Sequence, residues 1–331
     1  MTELEIEEDL TPIAQNFNSQ GKILEPMSNK VAIIDADTLV YKACITSQEI
    51  LPMLPEEYYS EEEYKAIINS PYYDEELEQY THMDLKDTLS NVVDRLNNML
   101  NELGCTRFEL HFTTGRSSFR YDIFPNYKGN RPSKGIPVGL KEVKQMVKYK
   151  YTDKVFLHED IEADDAVIAR YKELFPDCIL ASVDKDVLGA VEGRHYNYYT
   201  KAPYTNSKGF FIHAVEPMFV EVTALDAMKH LYIQTLTGDS IDNIHPKYGT
   251  GLKGVAEKTA LKILKDCTTP SECLQAVVKA YKDKRKDDSE EDILRDITLT
   301  TRLVSMHQYI NNNLELEREI VYDAGTGLYK H

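Results

Sequence analysis

The stretch IEADDAVIAR, Ile161 to Arg170, sets Glu162, Asp164 and Asp165 within four positions at the head of an apolar run. Carboxylates this close repel one another unless a positive charge sits between them. Acids at a helix start also cap free N–H groups and complement the helix dipole. A capped helix and half of a metal site are therefore both open readings of this motif. Other acids fall in comparable places. Asp35 follows the apolar run VAII, Asp184 and Asp186 follow ILASV, and Asp239 and Asp242 lie in GDSIDN. Asp37, two residues past its run, reads as structural. So many hard oxygen donors suit Mg²⁺ or Mn²⁺ rather than zinc, which favours His or Cys. Two such ions about 4 Å apart could activate water and stabilise the leaving oxygen of a phosphodiester.

Cations lie between these acids in sequence. SSFRYDIFPNYKGNRPSKG interleaves Arg120, Lys128, Arg131 and Lys134 with Phe119, Tyr121, Phe124 and Tyr127. Lysine and arginine bind phosphates, and aromatic faces stack bases; an ordinary exposed basic loop is the plain alternative. Downstream, Lys141, Lys144 and Lys148 share one helical face. A second basic element, YGTGLKGVAEKTALKIL, puts Gly249, Gly251 and Gly254 before a helix expected near Ala256, with Lys258 in its first turn. Glycines let a backbone approach a phosphate, and a helix N-terminus offers N–H groups to it.

These groups need a scaffold that brings distant segments together. Apolar runs at 31–34, 107–114, 154–159 and 178–183 read as strands, alternating with helices such as 164–175. That order predicts an α/β fold with a mostly parallel sheet, whose ligands bind at the carboxyl ends of the strands. Asp35, the 162–165 acids, Asp184 and Asp186 would all fall on that edge. After about residue 206 the pattern turns helical. The mixed-charge segment 282–292 reads as a solvated loop or helix end. Residues 55–79 hold nine acids and one lysine and read as a surface insertion with short helices, while residues 1–28 read as a solvated acidic tail.

The 331 residues carry a net charge of -17, yet residues 116–154 hold ten Lys/Arg against three acids. Screening confines such a patch to roughly 8–10 Å, so an acidic protein can still hold phosphate locally. Cys44, Cys105, Cys178, Cys267 and Cys273 form no CxxC pair and read as buried free thiols. There is no apolar run of membrane-spanning length and no secretory start, so a cytoplasmic protein without membrane contact is expected.

The motifs IIDAD, FRYDIFPNYKGNR, IEADD, SVDKD, GDSIDN and GLKGVAEKTA, in this order over roughly residues 30–265, resemble one family. It comprises the bacteriophage 5′-3′ exonucleases, the flap endonucleases and the 5′-nuclease domain of bacterial DNA polymerase I. The resemblance implies a PIN-like mostly parallel sheet flanked by helices, with a helical arch and a C-terminal helix-three-turn-helix unit. It divides the chain into the tail 1–28, a nuclease core 29–205 with its arch at about 115–150, and a helical duplex-binding region 206–331. The helix-three-turn-helix would lie at about 231–265. By the same resemblance, Asp35, Glu162, Asp164, Asp165, Asp184, Asp186, Asp239 and Asp242 hold two or more Mg²⁺ or Mn²⁺ ions. Asp35, Asp165, Asp184, Lys128 and Arg131 carry the chemistry. Arg120, Tyr127, Lys128, Arg131, Lys134, Gly251, Gly254 and Lys258 contact DNA, with K⁺ at the helix-three-turn-helix. The implied activity is structure-specific 5′ cleavage of DNA bearing a 5′ flap, nick or 5′ end, with RNA–DNA hybrids as a second substrate, by a monomer in phage replication or recombination. A PIN-type ribonuclease and a catalytically impaired branched-DNA-binding protein are the rivals. The sequence departs from the family at Thr114, where an Asp is usual.

Overall fold

The structure is a computed structural model and describes residues 28–115, 118–130, 135–205, 211–306, 308–311, 313, 315–318, 320–323 and 325–331. The expected acidic tail thus lies almost wholly outside the described residues, as do Arg131 and Lys134.

The elements that matter run in chain order as β1 (Ser28–Asp35), α1 (Asp37–Ser47), α2 (Leu85–Leu103), β2 (Cys105–Thr113) and α3 (Leu140–Lys150). Next come β3 (Val155–His158), α4 (Ala163–Leu174), β4 (Cys178–Ser182), α5 (Lys185–Gly189), β5 (Gly193–Asn197) and β6 (Met218–Val222). The helices α6 (Ala224–Thr237), α7 (Glu257–Ile263), α8 (Pro270–Lys284) and α9 (Glu290–Val304) follow. The six-stranded sheet has the order β6-β5-β4-β1-β2-β3. All neighbours are parallel except β6 against β5.

This order explains where a site can form. The chain leaves β1 toward β2 and β3, then crosses back to lay β4 on the other side of β1. Helices after the first crossover cover one face: α1, α2 and α3 bury Val40, Val92, Leu96 and Val147 against Ile34, Leu110 and Phe112. Helices after the second cover the other: α4 and α5 bury Val167, Ile168 and Val187 against Val31, Ile33 and Leu180. Between β1 and β4 the covering helices diverge, and a crevice opens at the strands' carboxyl ends.

Local sequence sets the elements. Helix α2 is capped by Asp84, which accepts from the N–H of Lys86 and of Asp87 at 2.8 Å, and it ends on left-handed Gly104. Its buried side, Val92, Leu96, Met99 and Leu103, keeps the 3–4 spacing of one helical face. All five cysteines are buried free thiols. Among the described residues no helix is long and apolar enough to cross a membrane.

Four expectations shift. The sheet continues to Val222, past the core boundary at 205, because β5 and β6 add an antiparallel edge that the acid motifs did not reveal. The C-terminal region is not all helix: three-residue strands at Gln308–Ile310, Leu316–Arg318, Val321–Asp323 and Leu328–Lys330 form two small hairpins. Within the segment 115–150 expected to arch over the site, α3 packs into the core instead, burying Val143 and Val147. The acidic insertion folds as an antiparallel lobe, its strands Gln48–Pro52, Gln79–Met83 and Tyr73–Asp74 paired beside a helix at Glu61–Ile68.

Candidate active site

Six of the eight expected carboxylates line one crevice of about 40 Å³: Glu162, Asp164, Asp184, Asp186, Asp239 and Asp242. They arrive in pairs from three places in the fold. Asp184 caps α5, accepting from Asp186 N–H at 2.8 Å. Glu162 and Asp164 stand at the head of α4. Asp239 and Asp242 sit in the turn after α6, closed by paired backbone bonds between Asp239 and Ile244. Asp35 is buried just behind, where its Oδ2 accepts from Ser182 Oγ at 2.8 Å and its carbonyl accepts from Tyr198 Oη at 2.5 Å.

The turn Asn126–Asn130 locks onto the Asp239–Asn243 turn. Lys128 N–H donates to Asp242 O at 2.9 Å, Asn243 Nδ2 to Asn126 O at 2.7 Å, and Asn130 Nδ2 to Ser240 O at 2.8 Å. Lys128 and Asn243 both take left-handed backbone angles, φ 52° and 63°. Such angles disfavour residues other than glycine, and these bonds hold them. The Lys128 ammonium thereby reaches Glu162 Oε1 and lies 3.7 Å from Asp242 Oδ2. Tyr127 Oη stands 2.7 Å from Glu162 and 2.9 Å from Asp242. A hydroxyl has one proton, so it can donate to only one of the two at a time.

Electrostatics show how much negative charge is gathered. Burial, with Asp37 and Asp184 nearby, pushes the Asp35 carboxyl up to about 7. Burial, with Asp35, Glu162 and Asp184, holds Asp164 well above the usual carboxylate range. Asp186 is pushed up to about 6 by burial, with Asp184 and Asp239 adding to it and Lys185 opposing. Burial and Asp242 raise Asp239. Burial also works against ionised Glu162, but Lys128 and Arg120 outweigh it and lower that carboxyl. The crevice as a whole gathers more carboxylates than Lys128 and Arg120 can balance.

Its donors are all hard oxygens, which fits Mg²⁺ or Mn²⁺. Among the described residues, however, no group of three or more His, Cys, Asp or Glu side chains is already arranged to hold a metal ion. Repulsion spreads the carboxylates, and Lys128 takes the place between two of them. The donor chemistry fits divalent ions, while chelation requires side chains to turn inward and Lys128 to leave Glu162.

Three expected residues do other work. Asp165 is fully buried and receives Arg120 Nη1 at 2.7 Å, Arg120 Nη2 at 2.6 Å and Glu162 N–H at 3.2 Å. Burial raises its carboxyl and the guanidinium lowers it; with three N–H donors aimed at its oxygens, the ionised form is the one satisfied. It has no oxygen left facing the crevice. Arg120 is 3% exposed and also donates to the carbonyls of Leu303 at 2.9 Å and Ser305 at 2.6 Å, so it does not reach DNA. Tyr127, 2% exposed, offers no stacking face.

In the second basic element the glycines differ. Gly251 is buried and its N–H goes to Thr300 Oγ1 at 3.0 Å, whereas Gly254 and Lys258 are exposed along with Lys253, Lys262 and Lys265. Asp37 is structural as expected, bound by Thr113 N–H at 3.0 Å and Lys144 Nζ at 2.5 Å. This ties Lys144 to the core rather than to a DNA-facing row. Thr114 turns its hydroxyl to His158 O at 2.7 Å. Sequence reasoning missed Ser182, two residues before Asp184 in the SVDKD motif, and Tyr198, which no pattern marks. It also missed Gln234, a polar residue on the crevice side of an apolar helix.

No protein-family model matches the chain. In sequence it is 25% identical over 283 residues to DNA polymerase I of Geobacillus stearothermophilus, covering 83% of this chain and 28% of that one. It is 27% identical over 202 residues to DNA polymerase I of Bacillus subtilis, covering 59% and 22%. It is 26% identical over 199 residues to a 5′-3′ exonuclease of Bacillus subtilis, covering 58% and 62%. The chain thus spans about a quarter of the length of the polymerases it matches. Among solved structures, the bacteriophage T5 flap endonuclease in a pseudo-enzyme–product complex with DNA and metal ions gives a TM-score of 0.46 at 16% identity, over 83% of this chain and 91% of that one. The catalytic core of Rad2 with a DNA substrate gives 0.42 at 16%, over 91% and 77%. By these sequence relatives, this chain with its mostly parallel, helix-flanked sheet is similar to the 5′-nuclease family.

Proposed function

We propose that the chain is a divalent-metal-dependent, structure-specific 5′ nuclease that hydrolyses phosphodiester bonds of DNA. The observation that carries this reading is the convergence of six carboxylates from three separate motifs on one crevice at the carboxyl edge of the sheet. Glu162, Asp164, Asp184, Asp186, Asp239 and Asp242 would hold Mg²⁺ or Mn²⁺, with Asp35 supporting from behind. Bound there, two such ions supply an activated water and charge for the leaving oxygen. Lys128 leaves Glu162 for the scissile phosphate, and Arg131 joins it from the same segment. Asp165 and Arg120 keep the head of α4 fixed. Duplex DNA lies against Gly254 and Lys258 in the helix-three-turn-helix formed by α6, α7 and the turns between them, where K⁺ would bind. Substrates are DNA with a 5′ flap, nick or 5′ end, and RNA–DNA hybrids, met as a monomer in the cytoplasm of a phage-infected host.

Asp184→Asn on a 5′-labelled flap in Mg²⁺ tests this. We expect cleavage to fall by at least a hundredfold while flap binding persists; full activity would sink the assignment. A second reading, a branched-DNA binder with impaired catalysis, is favoured by Thr114 standing at the edge of β2 where an acid would add a ligand. Tight flap binding by the wild type with no cut in Mg²⁺ or Mn²⁺ would decide for it.

A further inference from the structure

Beside the acid crevice lies a larger space. A cavity of about 500 Å³ opens between α4, α5 and α6. It shares Asp186, Gln234, Val304 and Met306 with the crevice, so the two are contiguous. On α6 its wall is Ala224, Ala227, Met228 and Leu231, which at spacings of 1, 3 and 4 lie on one helical face. The two alanines leave the room. The volume lies in the range of ligand pockets, roughly 300–1,000 Å³.

Hydrolysis of a phosphodiester does not need this space. Its walls are mainly apolar and offer a phosphate one lysine, Lys172, whose ammonium is itself disfavoured there by burial and by Arg318. A nucleobase suits it, having apolar faces and a polar edge. Phe175, 45% exposed and backed by the buried ring of Tyr171 at 5.6 Å, supplies an aromatic face for stacking. Gln234 supplies the polar contact. It is 9% exposed and borders both spaces, yet no described residue hydrogen-bonds its side-chain amide. The amide is not among the buried unpaired groups, so it faces open space, and its donors and acceptor can meet the edge of any base. His230 Nε2, buried on the same wall, also has no hydrogen-bond partner among the described residues and stands 3.7 Å from Asp186.

We propose that this chamber receives the base of a substrate nucleotide next to the scissile phosphate, with Gln234 bonding the base edge. The proposal rests on the nuclease reading. A free mononucleotide carries the same chemistry, and the test separates the two sources.

A single abasic site is walked through the nucleotides flanking the cut of a 5′-flap DNA. Single-turnover cleavage in Mg²⁺ and equilibrium binding in Ca²⁺ are measured for wild type, Ala227→Phe and Gln234→Leu. Ala227 is half-buried on α6, so the added ring enters the chamber rather than a packed core. We expect one abasic position to weaken wild-type binding and cleavage about tenfold. Ala227→Phe should weaken intact DNA similarly and be indifferent to that abasic site. Gln234→Leu should lose part of the same dependence. A flat abasic walk overturns the proposal, as does an equal abasic penalty in Ala227→Phe. A flat walk with inhibition by free mononucleotide overturns it in favour of the free ligand. Loss of cleavage on every substrate, with the binding pattern kept, would count against the nuclease reading alone.

Discussion

Arg120 and Asp165 meet where neither reaches water, and together they fix the start of α4. Two bonds run to the carboxylate and two more to carbonyls at the end of α9, so one guanidinium joins the acid motif to the C-terminal helices. Removing one member of such a pair leaves the other charge buried, which costs about 3–5 kcal/mol. Asp165→Ala should lose that much stability in urea titrations and most of its activity with it. Arg120→Lys should not rescue Arg120→Ala, because an ammonium cannot span the same four acceptors. At Thr114 the opposite change is informative. Thr114→Asp gives up the bond to His158 O but adds a carboxylate beside the crevice. We expect cleavage by this variant to reach half-maximal rate at a lower Mg²⁺ concentration than the wild type requires.

The turns and strands around the site carry their own requirements. Gly238 ends α6 at φ 67°, and a Cβ there would stand 2.4 Å from Ile244 O. Gly251 packs on Gly238 so closely that its Cβ would lie 2.9 Å from the Gly238 nitrogen. Both turns therefore need glycine, and Gly238→Ala should cost more than about 1 kcal/mol in urea midpoint while shifting Asp239 and Asp242. Beneath the site, on β2 and β3, His111 Nδ1 and His158 Nε2 lie 3.0 Å apart, and both rings are buried. Burial, with His111 beside it, pulls His158 down to about 3, and burial lowers His111 against the pull of Glu109. The folded form binds these protons less readily than the unfolded chain. Stability from the pair is thus complete above about pH 6.5 and falls with pH below it, for His158 until about pH 3 at roughly 1.4 kcal/mol per pH unit. Burial works against ionised Glu109, but its bonds with His111 and Arg170 hold it at about 2, so its contribution is lost below about pH 4.5 in the same direction. Urea midpoints measured from pH 7.5 to 5 should fall, and His158→Phe should flatten the slope.

The whole molecule is a strong anion with a local appetite for cations. If the crevice carboxylates hold divalent ions, these bind the folded chain and not the unfolded one. At a hundredfold excess over Kd, Mg²⁺ should then stabilise by about 2.7 kcal/mol. Thermal unfolding should shift upward in Mg²⁺ and return on adding a chelator, and Asp184→Asn should shrink the shift. The net charge of -17 predicts weak non-specific DNA binding, while any phosphate contacts from the basic segments 116–154 and 247–265 should weaken as salt rises. Much of this could be read from the chain. Strand runs ending in Asp35 and before Asp184, and the acid cluster opening α4, announce a parallel sheet with carboxylates on one edge, because period and position are local properties. The antiparallel edge Met218–Val222 and the C-terminal hairpins were not legible, since their short strands acquire meaning only from their pairing partners. The roles of single charges were not legible either. The sequence by itself determined which residue types gather and at which end of the sheet. Only the tertiary structure decided that Glu162 faces the crevice while Asp165, three residues on, faces Arg120. Residues three apart at a helix start share a face, so which of the two carboxylates is closed off by Arg120 and which stays open to the crevice is set by the distant segments they meet.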